Sequence, residues 1–353
     1  MRRPWLLPLV PVYAAGAALR SAGLGLETVH KLGWPVVSVG NLSTGGTGKT
    51  PFTIALARLL MREGVHVDVL SRGYGRVSER VERVPIGGSA LRFGDEPLLI
   101  ARGTGVPVYV GSRRYEAGLL AESDAAANNA DGGAGVHLLD DGFQHRQLAR
   151  QVDIVLVNSE DLGDSLLPAG NLREGLRALR RAAVLAVAEE DNAAVDRLRR
   201  LGLGAESSQV GRGQTAPGQA IWRYRREMVA PEMPEPLTGR PVVAFCGVAR
   251  PEQFFSGLEQ QGFQVAARRA FPDHHRFTAA DLAMLGTVLD STGSGALVTT
   301  AKDQVRLGDV AIPAGLAGQI LAADLRIAFK GEAGIAAWLR QTLGLAARES
   351  DSE

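Results

Sequence analysis

The sequence predicts an α/β protein of the P-loop NTPase type, with a doubly wound parallel sheet and a second, smaller α/β domain. Three observations support this prediction. Short β-branched runs alternate with helical patterns, as in buried parallel strands joined by helices. A glycine-rich turn separates the first such run from a helical pattern. The length of 353 residues exceeds one ordinary domain of roughly 150 residues, so we expect two units with separate cores.

The composition is that of an ordinary globular protein. Hydrophobic residues make up 45% of the chain and charged residues 22%, with a net charge of +1, which gives no reason to expect a nucleic-acid partner. The single cysteine, Cys246, excludes an internal disulfide and a cysteine-based metal site, and it fits a reducing compartment.

Residues 1–30 form an apolar segment that we expect to lie at a membrane surface. The run from Pro4 to Leu19 is uncharged, but it falls short of the roughly 20 residues that span a bilayer, and prolines interrupt its first turns. Trp5 and Tyr13 suit the headgroup region, so a peripheral or monotopic segment is favoured over a single span. A helix packed on the protein's own core is the alternative. Basic residues flank the run: Arg2, Arg3 and Arg20.

The first α/β domain is expected at residues 31–228. Its helix patterns cover residues 51–63 and 112–123. We expect ligands at the carboxyl ends of its strands, as in other doubly wound sheets. The predicted strands are residues 35–40, 66–71, 106–111, 136–140, 152–158 and 182–188.

A phosphate-binding loop is predicted between residues 40 and 51. The stretch GNLSTGGTGKTP follows a strand pattern and precedes a helical pattern, which is the context that such a loop requires. Glycines let backbone N–H groups surround phosphate oxygens, and the helix N-terminus adds positive potential. Ser43 stands where the strict motif has glycine, and a glycine-rich turn without a ligand is the alternative. The predicted nucleotide-binding residues are Gly45, Gly46, Thr47, Gly48, Lys49 and Thr50. Thr50 is also predicted to be a ligand of Mg²⁺.

Two carboxylates end the strand at residues 136–140. Asp140 and Asp141 follow an apolar run and precede Gly142. Adjacent carboxylates at a buried sheet edge repel each other unless a cation or protons compensate. Beside a phosphate-binding loop, this pattern favours metal binding or proton transfer over a solvated turn.

The second, smaller α/β domain is expected at residues 241–345. Residues 229–240 carry prolines and glutamates and are predicted to be a linker, while residues 346–353 are predicted to be a disordered tail. The predicted strands of this domain are residues 241–248, 263–271 and 296–300, with helices at 251–261 and 279–289.

Eight stretches in this order resemble the tetraacyldisaccharide 4′-kinase family, the lipid A kinases of Gram-negative bacteria. The resemblance covers nearly the whole chain, and Gly175 is a departure, because the family usually has proline there. The stretches are SVGNLSTGGTGKTP (38–51), SRGYGR (71–76), GDEP (94–97), DDGFQHRQLARQVDIVLV (140–157), LLPAGNLRE (166–174), GVARPEQFF (247–255), FPDHHRF (271–277) and TTAKD (299–303).

The resemblance implies a role for individual residues of these stretches. Asp95 would be the catalytic base, strengthened by His274 from the second domain, and Glu96 and Asp140 would serve Mg²⁺. The remaining candidates would orient ATP or bind the sugar or the 1-phosphate of the lipid. They are Arg72, Arg114, Asp141, Gln144 and Arg173.

The resemblance also implies the reaction. It is ATP-dependent phosphorylation of the 4′-hydroxyl of tetraacyldisaccharide 1-phosphate, giving lipid IVA, at the cytoplasmic face of the bacterial inner membrane. A P-loop ATPase, a GTPase switch or another small-molecule kinase at the membrane surface is the alternative. The TTAKD stretch superficially resembles a guanine-reading motif, but Lys302 and Asp303 are adjacent, so the spacing does not fit.

Overall fold

The N-terminal segment forms two consecutive helices. A short 3-10 helix (Pro4–Leu9) leads into helix α1 (Val10–Ser21), and the side chains of Trp5 and Val12 are exposed. Across the part of the chain that the structure describes, no helix is long and apolar enough to cross a membrane. The computed structural model describes residues 3–21, 28–44, 46–128, 135–206, 219–234 and 239–345.

Strands and helices alternate through the first half of the chain. A 3-10 helix at Leu176–Arg181 also belongs to this half. The elements are β1 (Val36–Asn41), α2 (Lys49–Arg62), β2 (His66–Ser71), β3 (Glu82–Arg83), α3 (Ala90–Phe93), α4 (Asp95–Thr104), β4 (Val108–Val110), α5 (Arg114–Asn128), β5 (Gly135–Asp140), β6 (Val152–Val157), α6 (Ser159–Leu162), β7 (Val184–Ala188), α7 (Asn192–Arg200), β8 (Ala205–Glu206) and β9 (Ala220–Val229).

The second half repeats the alternation and closes with a helix. A short 3-10 turn at Ala314–Leu316 precedes its last strand. The elements are β10 (Val242–Cys246), α8 (Pro251–Gln260), β11 (Val265–Ala270), α9 (Ala279–Thr292), β12 (Ala296–Thr300), α10 (Ala301–Leu307), β13 (Ile320–Phe329) and α11 (Glu332–Leu343).

The strands form one large and mostly parallel sheet. Their order is β11-β10-β12-β13-β9-β7-β6-β1-β5-β2-β4-β3, with β8 paired to β9. β1 lies between β5 and β6 and pairs in parallel with both. Ligand-binding loops therefore gather at the carboxyl end of β1 and its neighbours, where the strand order reverses. The predicted fold class, a mixed α/β protein with a doubly wound sheet, is confirmed.

The strands that the sequence predicts coincide with strands of the structure, whereas the two-residue strands β3 and β8 and the long strands β9 and β13 are additional. Charged residues interrupt the apolar pattern of both long strands, at Arg223 and residues 225–227 in β9 and at Asp324 and Arg326 in β13, so neither matches the continuous apolar run of a buried parallel strand. β9 and β13 pair antiparallel over residues 224–229 and 324–329, which joins the two halves into one sheet.

The two halves also share a hydrophobic core. Val305 of α10 packs in the same cluster as Phe52 of α2 and Leu98 of α4. Trp338 of α11 meets Trp222 of β9 edge to face, with 5.4 Å between ring centroids. The boundary between two domains at residues 229–240 stays a prediction. In the structure, α11 at the end of the second half packs on the first half.

Candidate active site

The glycine-rich loop connects β1 to α2, as the phosphate-binding motif requires. Gly48 precedes α2 with φ of 86°, a left-handed conformation that glycine adopts without strain. The Lys49 Nζ atom donates to Asn41 Oδ1 at 3.2 Å and lies 3.6 Å from Asp141 Oδ1. Gly46, Thr47, Gly48, Lys49 and Thr50 line a cleft of about 1550 Å³. Gly45 lies outside the described residues.

Ser43, the departure from the strict motif, has a structural role in the loop. Its hydroxyl accepts a hydrogen bond from Asn41 Nδ2 at 3.1 Å and donates to Asp161 Oδ2 at 3.0 Å. Asp161 belongs to α6, which follows β6, the neighbour of β1. The serine therefore ties the loop to the adjacent strand–helix connection, which a glycine could not do.

Asp140 and Asp141 reach the loop because β5 lies beside β1. Asp140 pairs in register with Val39 and accepts a hydrogen bond from Thr53 Oγ1 at 3.2 Å. Burial, followed by the charges of Glu96 and Asp141, raises the pKa of Asp140 to about 7. The charge of Lys49 offsets only part of this effect, and a bound divalent ion would supply the remaining compensation.

The donor set fits Mg²⁺. The oxygen-bearing side chains of Thr50, Glu96 and Asp140 line the cleft, and oxygen is the ligand that Mg²⁺ prefers. Among the described residues, no group of three acidic, histidine or cysteine side chains forms a complete metal site. Mg²⁺ usually keeps several waters and takes oxygens from substrate phosphates, so a partial protein shell suits it.

Asp95 and His274, which only the family resemblance joined, lie side by side. Asp95 begins α4 and is 7% exposed, and His274 Nδ1 lies 3.2 Å from its Oδ2 atom. His274 adopts φ of 59°, and its amide donates to the carbonyl of Gly247 at 3.2 Å. Its ring meets Tyr74 edge to face at 5.8 Å.

Asp95 is surrounded by cations from α10. Arg306 Nε donates to Asp95 Oδ2 at 2.9 Å, and Lys302 Nζ lies 3.7 Å from the same oxygen and 3.0 Å from Glu96 Oε1. Burial by itself would raise the pKa of Asp95. The hydrogen bond with His274 and the charges of Lys302 and Arg306 outweigh burial and hold that pKa well below its usual range, so Asp95 is ionised at neutral pH.

Arg173, Asp141 and Gln144 form a hydrogen-bonded group beside Lys49. Arg173 Nη1 donates to both carboxylate oxygens of Asp141, at 3.2 and 3.1 Å, and to Gln144 Oε1 at 3.2 Å. Gln144 Nε2 donates to the carbonyl of Asn41 at 2.9 Å. Burial alone would raise the pKa of Asp141, but Lys49 and Arg173 lower it below its usual value. These residues therefore form a network of hydrogen bonds and ion pairs beside the glycine-rich loop.

Arg72 lines the cleft, whereas Arg114 is not among the residues that line it, and the two arginines lie close enough to interact electrostatically. Arg114 is 6% exposed, and its Nη1 donates to the carbonyl of Ser112 at 2.7 Å. Its Nε is buried with no hydrogen-bond partner among the described residues. Burial, and then repulsion by Arg72, lowers the pKa of Arg114 to about 10. Burial and neighbouring arginines also lower the pKa of His145 to about 4. The positive charge of Arg72 and Arg114, which Asp140 and Asp141 partly offset, favours an anion beside Arg72.

Sequence reasoning missed two arginines of the site. Arg306 lies four residues after Lys302 of the TTAKD stretch, on the same face of α10, and that spacing was the available signal. Arg226 of β9 donates from Nη2 to the carbonyl of Thr47 at 3.2 Å. The sequence around Arg226 carries no motif, because the contact depends on the pairing of β9 with the sheet.

Comparisons with known proteins agree with this geometry. A family model described as LpxK, tetraacyldisaccharide-1-P 4′-kinase, matches residues 2–344. The tetraacyldisaccharide 4′-kinase of Koribacter versatilis is 42% identical over 312 residues, which cover 86% of this chain and 88% of that protein. The tetraacyldisaccharide 4′-kinase of Rhodopseudomonas palustris is 37% identical over 348 residues, covering 97% and 93%.

A solved structure extends the similarity to three dimensions. It is LpxK from Aquifex aeolicus, an "apo" form crystallised in complex with ATP, with 32% sequence identity and a TM-score of 0.71. The match covers 96% of this chain and 98% of that one. The match therefore includes both halves, and the expected enzyme class is confirmed. The chain belongs to the tetraacyldisaccharide 4′-kinase family, whose members act in lipid A biosynthesis.

Proposed function

We propose that this chain transfers the γ-phosphoryl group of ATP to the 4′-hydroxyl of tetraacyldisaccharide 1-phosphate, giving lipid IVA. The observation that carries the proposal is one cleft lined by Lys49 and Asp140 from the first half and by His274 and Lys302 from the second. Phosphoryl transfer needs a phosphate cradle, a base on the attacking hydroxyl and cations around the developing charge. Residues of the cleft suit the cradle and the cations, and the proposed base, Asp95, lies behind His274, which lines the cleft.

The glycine-rich loop is the proposed nucleotide site. The backbone N–H groups of Gly45 to Lys49 would surround the phosphates, and Lys49 Nζ would exchange its contacts with Asn41 and Asp141 for phosphate oxygens. The proposed Mg²⁺ ligands are Thr50, Glu96 and Asp140. When bound there, Mg²⁺ would neutralise charge on the β- and γ-phosphate oxygens.

Asp95 is the proposed proton acceptor. The 4′-oxygen forms a bond to the γ-phosphorus, the bond from that phosphorus to the ADP oxygen breaks, and the hydroxyl proton passes to Asp95. A carboxylate with a lowered pKa is a weak base, so we expect proton transfer late, after the attacking oxygen has lost electron density. His274 would orient Asp95 and the sugar hydroxyl.

Arg72, Arg114 and Arg173 are the proposed contacts of the lipid's sugar or 1-phosphate. The unpaired Nε of the buried Arg114 and its repulsion by the cleft-lining Arg72 support an anion beside them, because an anion would accept from that donor and reduce the repulsion that Asp140 and Asp141 only partly offset. Asp141 and Gln144 hold Arg173 in place and would orient ATP or the sugar through it.

The N-terminal segment is the proposed membrane contact, at the cytoplasmic face of the inner membrane. Trp5 is 75% exposed and Val12 is 71% exposed. The Tyr13 hydroxyl donates to the carbonyl of Arg173 at 3.1 Å, and Tyr13 and Gly16 line the cleft. An apolar surface beside the cleft would let the enzyme reach a substrate whose acyl chains stay in the bilayer.

The direct test is transfer of labelled γ-phosphate from ATP to the purified lipid disaccharide 1-phosphate. We expect one labelled product that carries the phosphate on the 4′-oxygen. GTP in place of ATP, and ATP without the lipid, separate a kinase from a GTPase or an ATPase. Turnover without the lipid at the same rate, or label on another acceptor only, would contradict the proposal.

A further inference from the structure

The side chain of Arg306 makes polar contacts with residues of both halves of the protein. It is 7% exposed and lies on α10. Nε and Nη2 both donate to Asp95 Oδ2. Nη2 also lies 3.2 Å from His274 Nδ1. One guanidinium group therefore contacts both residues of the proposed dyad.

The other side of the guanidinium is held by its own half of the protein. Nη1 donates to Asp303 Oδ1 at 2.8 Å and to the carbonyl of Gly247 at 2.7 Å. Asp303 is itself fixed, because its Oδ2 accepts from the Gly247 amide at 3.0 Å and from Thr300 Oγ1 at 2.7 Å. A planar guanidinium with all its nitrogens engaged has little freedom to rotate, so Arg306 is a rigid part of the site.

We propose that Arg306 is a positioning residue for phosphoryl transfer, which holds Asp95 and His274 in a single arrangement across the two halves. This inference rests on the function proposed above. Arg306 is not among the residues that line the cleft, and its contacts on this side are with Asp95 and His274, so it acts through these two residues. Reacting groups displaced by about 1 Å can lose roughly 10²-fold in rate, which is the size of effect that such a residue controls.

The hydrogen-bond chemistry gives Arg306 a second influence, on the ring of His274. A guanidinium N–H can only donate, so the contact from Nη2 requires an unprotonated Nδ1, whereas the contact from Nδ1 to Asp95 requires a protonated one. The two contacts exclude each other at any instant. The tautomer of His274 therefore decides whether its Nδ1 donates to Asp95 or accepts from Arg306, and either contact keeps the ring beside the carboxylate.

The test measures kcat and the KM values for ATP and for the lipid in Arg306→Ala. We expect kcat to fall roughly 10²-fold while both KM values stay within about twofold, since ground-state binding is left intact. Millimolar guanidinium chloride is expected to restore part of the lost kcat, and the same concentration of sodium chloride is not. A purely structural role would give neither the split nor the rescue.

Two further variants sharpen the result. In an Asp95→Asn background, Arg306→Ala is expected to add less than about a twofold loss, because residues that act as a unit are non-additive. Arg58→Ala is the matched control. Arg58 Nε donates to the carbonyl of Gly103 in α4 at 3.0 Å, so this variant also loosens the helix that bears Asp95 but leaves Asp95 itself untouched.

Folding and function are separated in the same experiment. Circular dichroism and ATP affinity establish which variants are folded, and Arg306→Lys replaces Arg306→Ala if the alanine variant unfolds. The wild type measured in parallel tests the proposed function. An inactive wild type would overturn that function, whereas an active wild type with multiplicative losses, or with a loss no larger than that of Arg58→Ala, would overturn only the role of Arg306.

Discussion

The imidazole of His274 and the carboxylate of Asp95 meet at 3.2 Å, although one residue follows β11 and the other begins α4. Asp95 is buried, whereas the side chain of His274 is 38% exposed and lines the cleft. The pair therefore joins the two halves of the protein, and His274 is its more exposed member.

If the pair acts as a unit, its two members will be strongly coupled in kinetics. We expect Asp95→Ala and His274→Ala each to lower kcat severely, and the double variant to be scarcely worse than either alone. The measurement is a double-mutant cycle on kcat with saturating ATP. ATP affinity serves as the control that the nucleotide site survives, and independent multiplicative losses would falsify the dyad.

Lys49 tests the phosphate-binding loop. Lys49→Ala removes a charge-assisted contact that strengthens as charge develops on the phosphates, so we expect kcat to fall roughly 10²-fold or more with folding intact. Steady-state kinetics and thermal unfolding check this. Lys31 lies outside the cleft lining, and Lys31→Ala is the matched control. Near-normal turnover of Lys49→Ala would remove the loop from the mechanism.

The N-terminal segment can be tested by the way the substrate is presented. Deletion of residues 2–20 is expected to move the protein from membrane to soluble fractions. Activity should fall more on bilayer-presented lipid than on detergent-dispersed lipid, because the exposed apolar side chains no longer reach the bilayer. Equal losses in both presentations would show instead that the segment supports the site through contacts such as that of Tyr13 with Arg173.

His137 predicts a pH-dependent stability outside the site. Its Nδ1 lies 2.8 Å from Asp68 Oδ1 and its Nε2 lies 3.3 Å from Glu122 Oε1, with no exposed surface. Burial alone would lower the pKa of His137, but the hydrogen bonds and charges of Asp68 and Glu122 outweigh it and raise that pKa. His66, which is close enough to affect Asp68 electrostatically, adds a nearby cation when it is protonated.

A histidine whose pKa is raised by folding stabilises the fold fully below its unfolded pKa of about 6.5. That contribution is lost as pH rises through the folded pKa. The melting temperature should therefore fall between pH 6 and the folded pKa of His137, and His137→Gln should flatten this dependence. The exposed His30 stacks on Tyr115, and His30→Gln is the control. An unchanged pH profile in His137→Gln would contradict the prediction.

Local patterns were enough to predict the parts of the site that lie at strand ends. The β-branched run of β1, the glycines after it and Lys49 identify a phosphate-binding loop, and Asp140 at the end of an apolar run identifies its acidic neighbour. Parallel strands bring their carboxyl ends to one edge of the sheet, so the two motifs meet without any knowledge of side-chain packing. The family resemblance then supplied Asp95 and His274, which no local pattern would have joined.

By itself, the sequence determined the α/β class, the phosphate-binding loop, its acidic partner Asp140 and the family. Each of these depends on strand periodicity or motif spacing, which short stretches of neighbouring residues contain. Only the tertiary structure decided that β9 and β13 join the halves, and that Arg306 and Lys302 face Asp95. Contacts of this kind join residues that are far apart in the chain, and they depend on how the two halves pair and pack. A buried carboxylate needs a cation, but the chain order does not say which of many arginines will reach it.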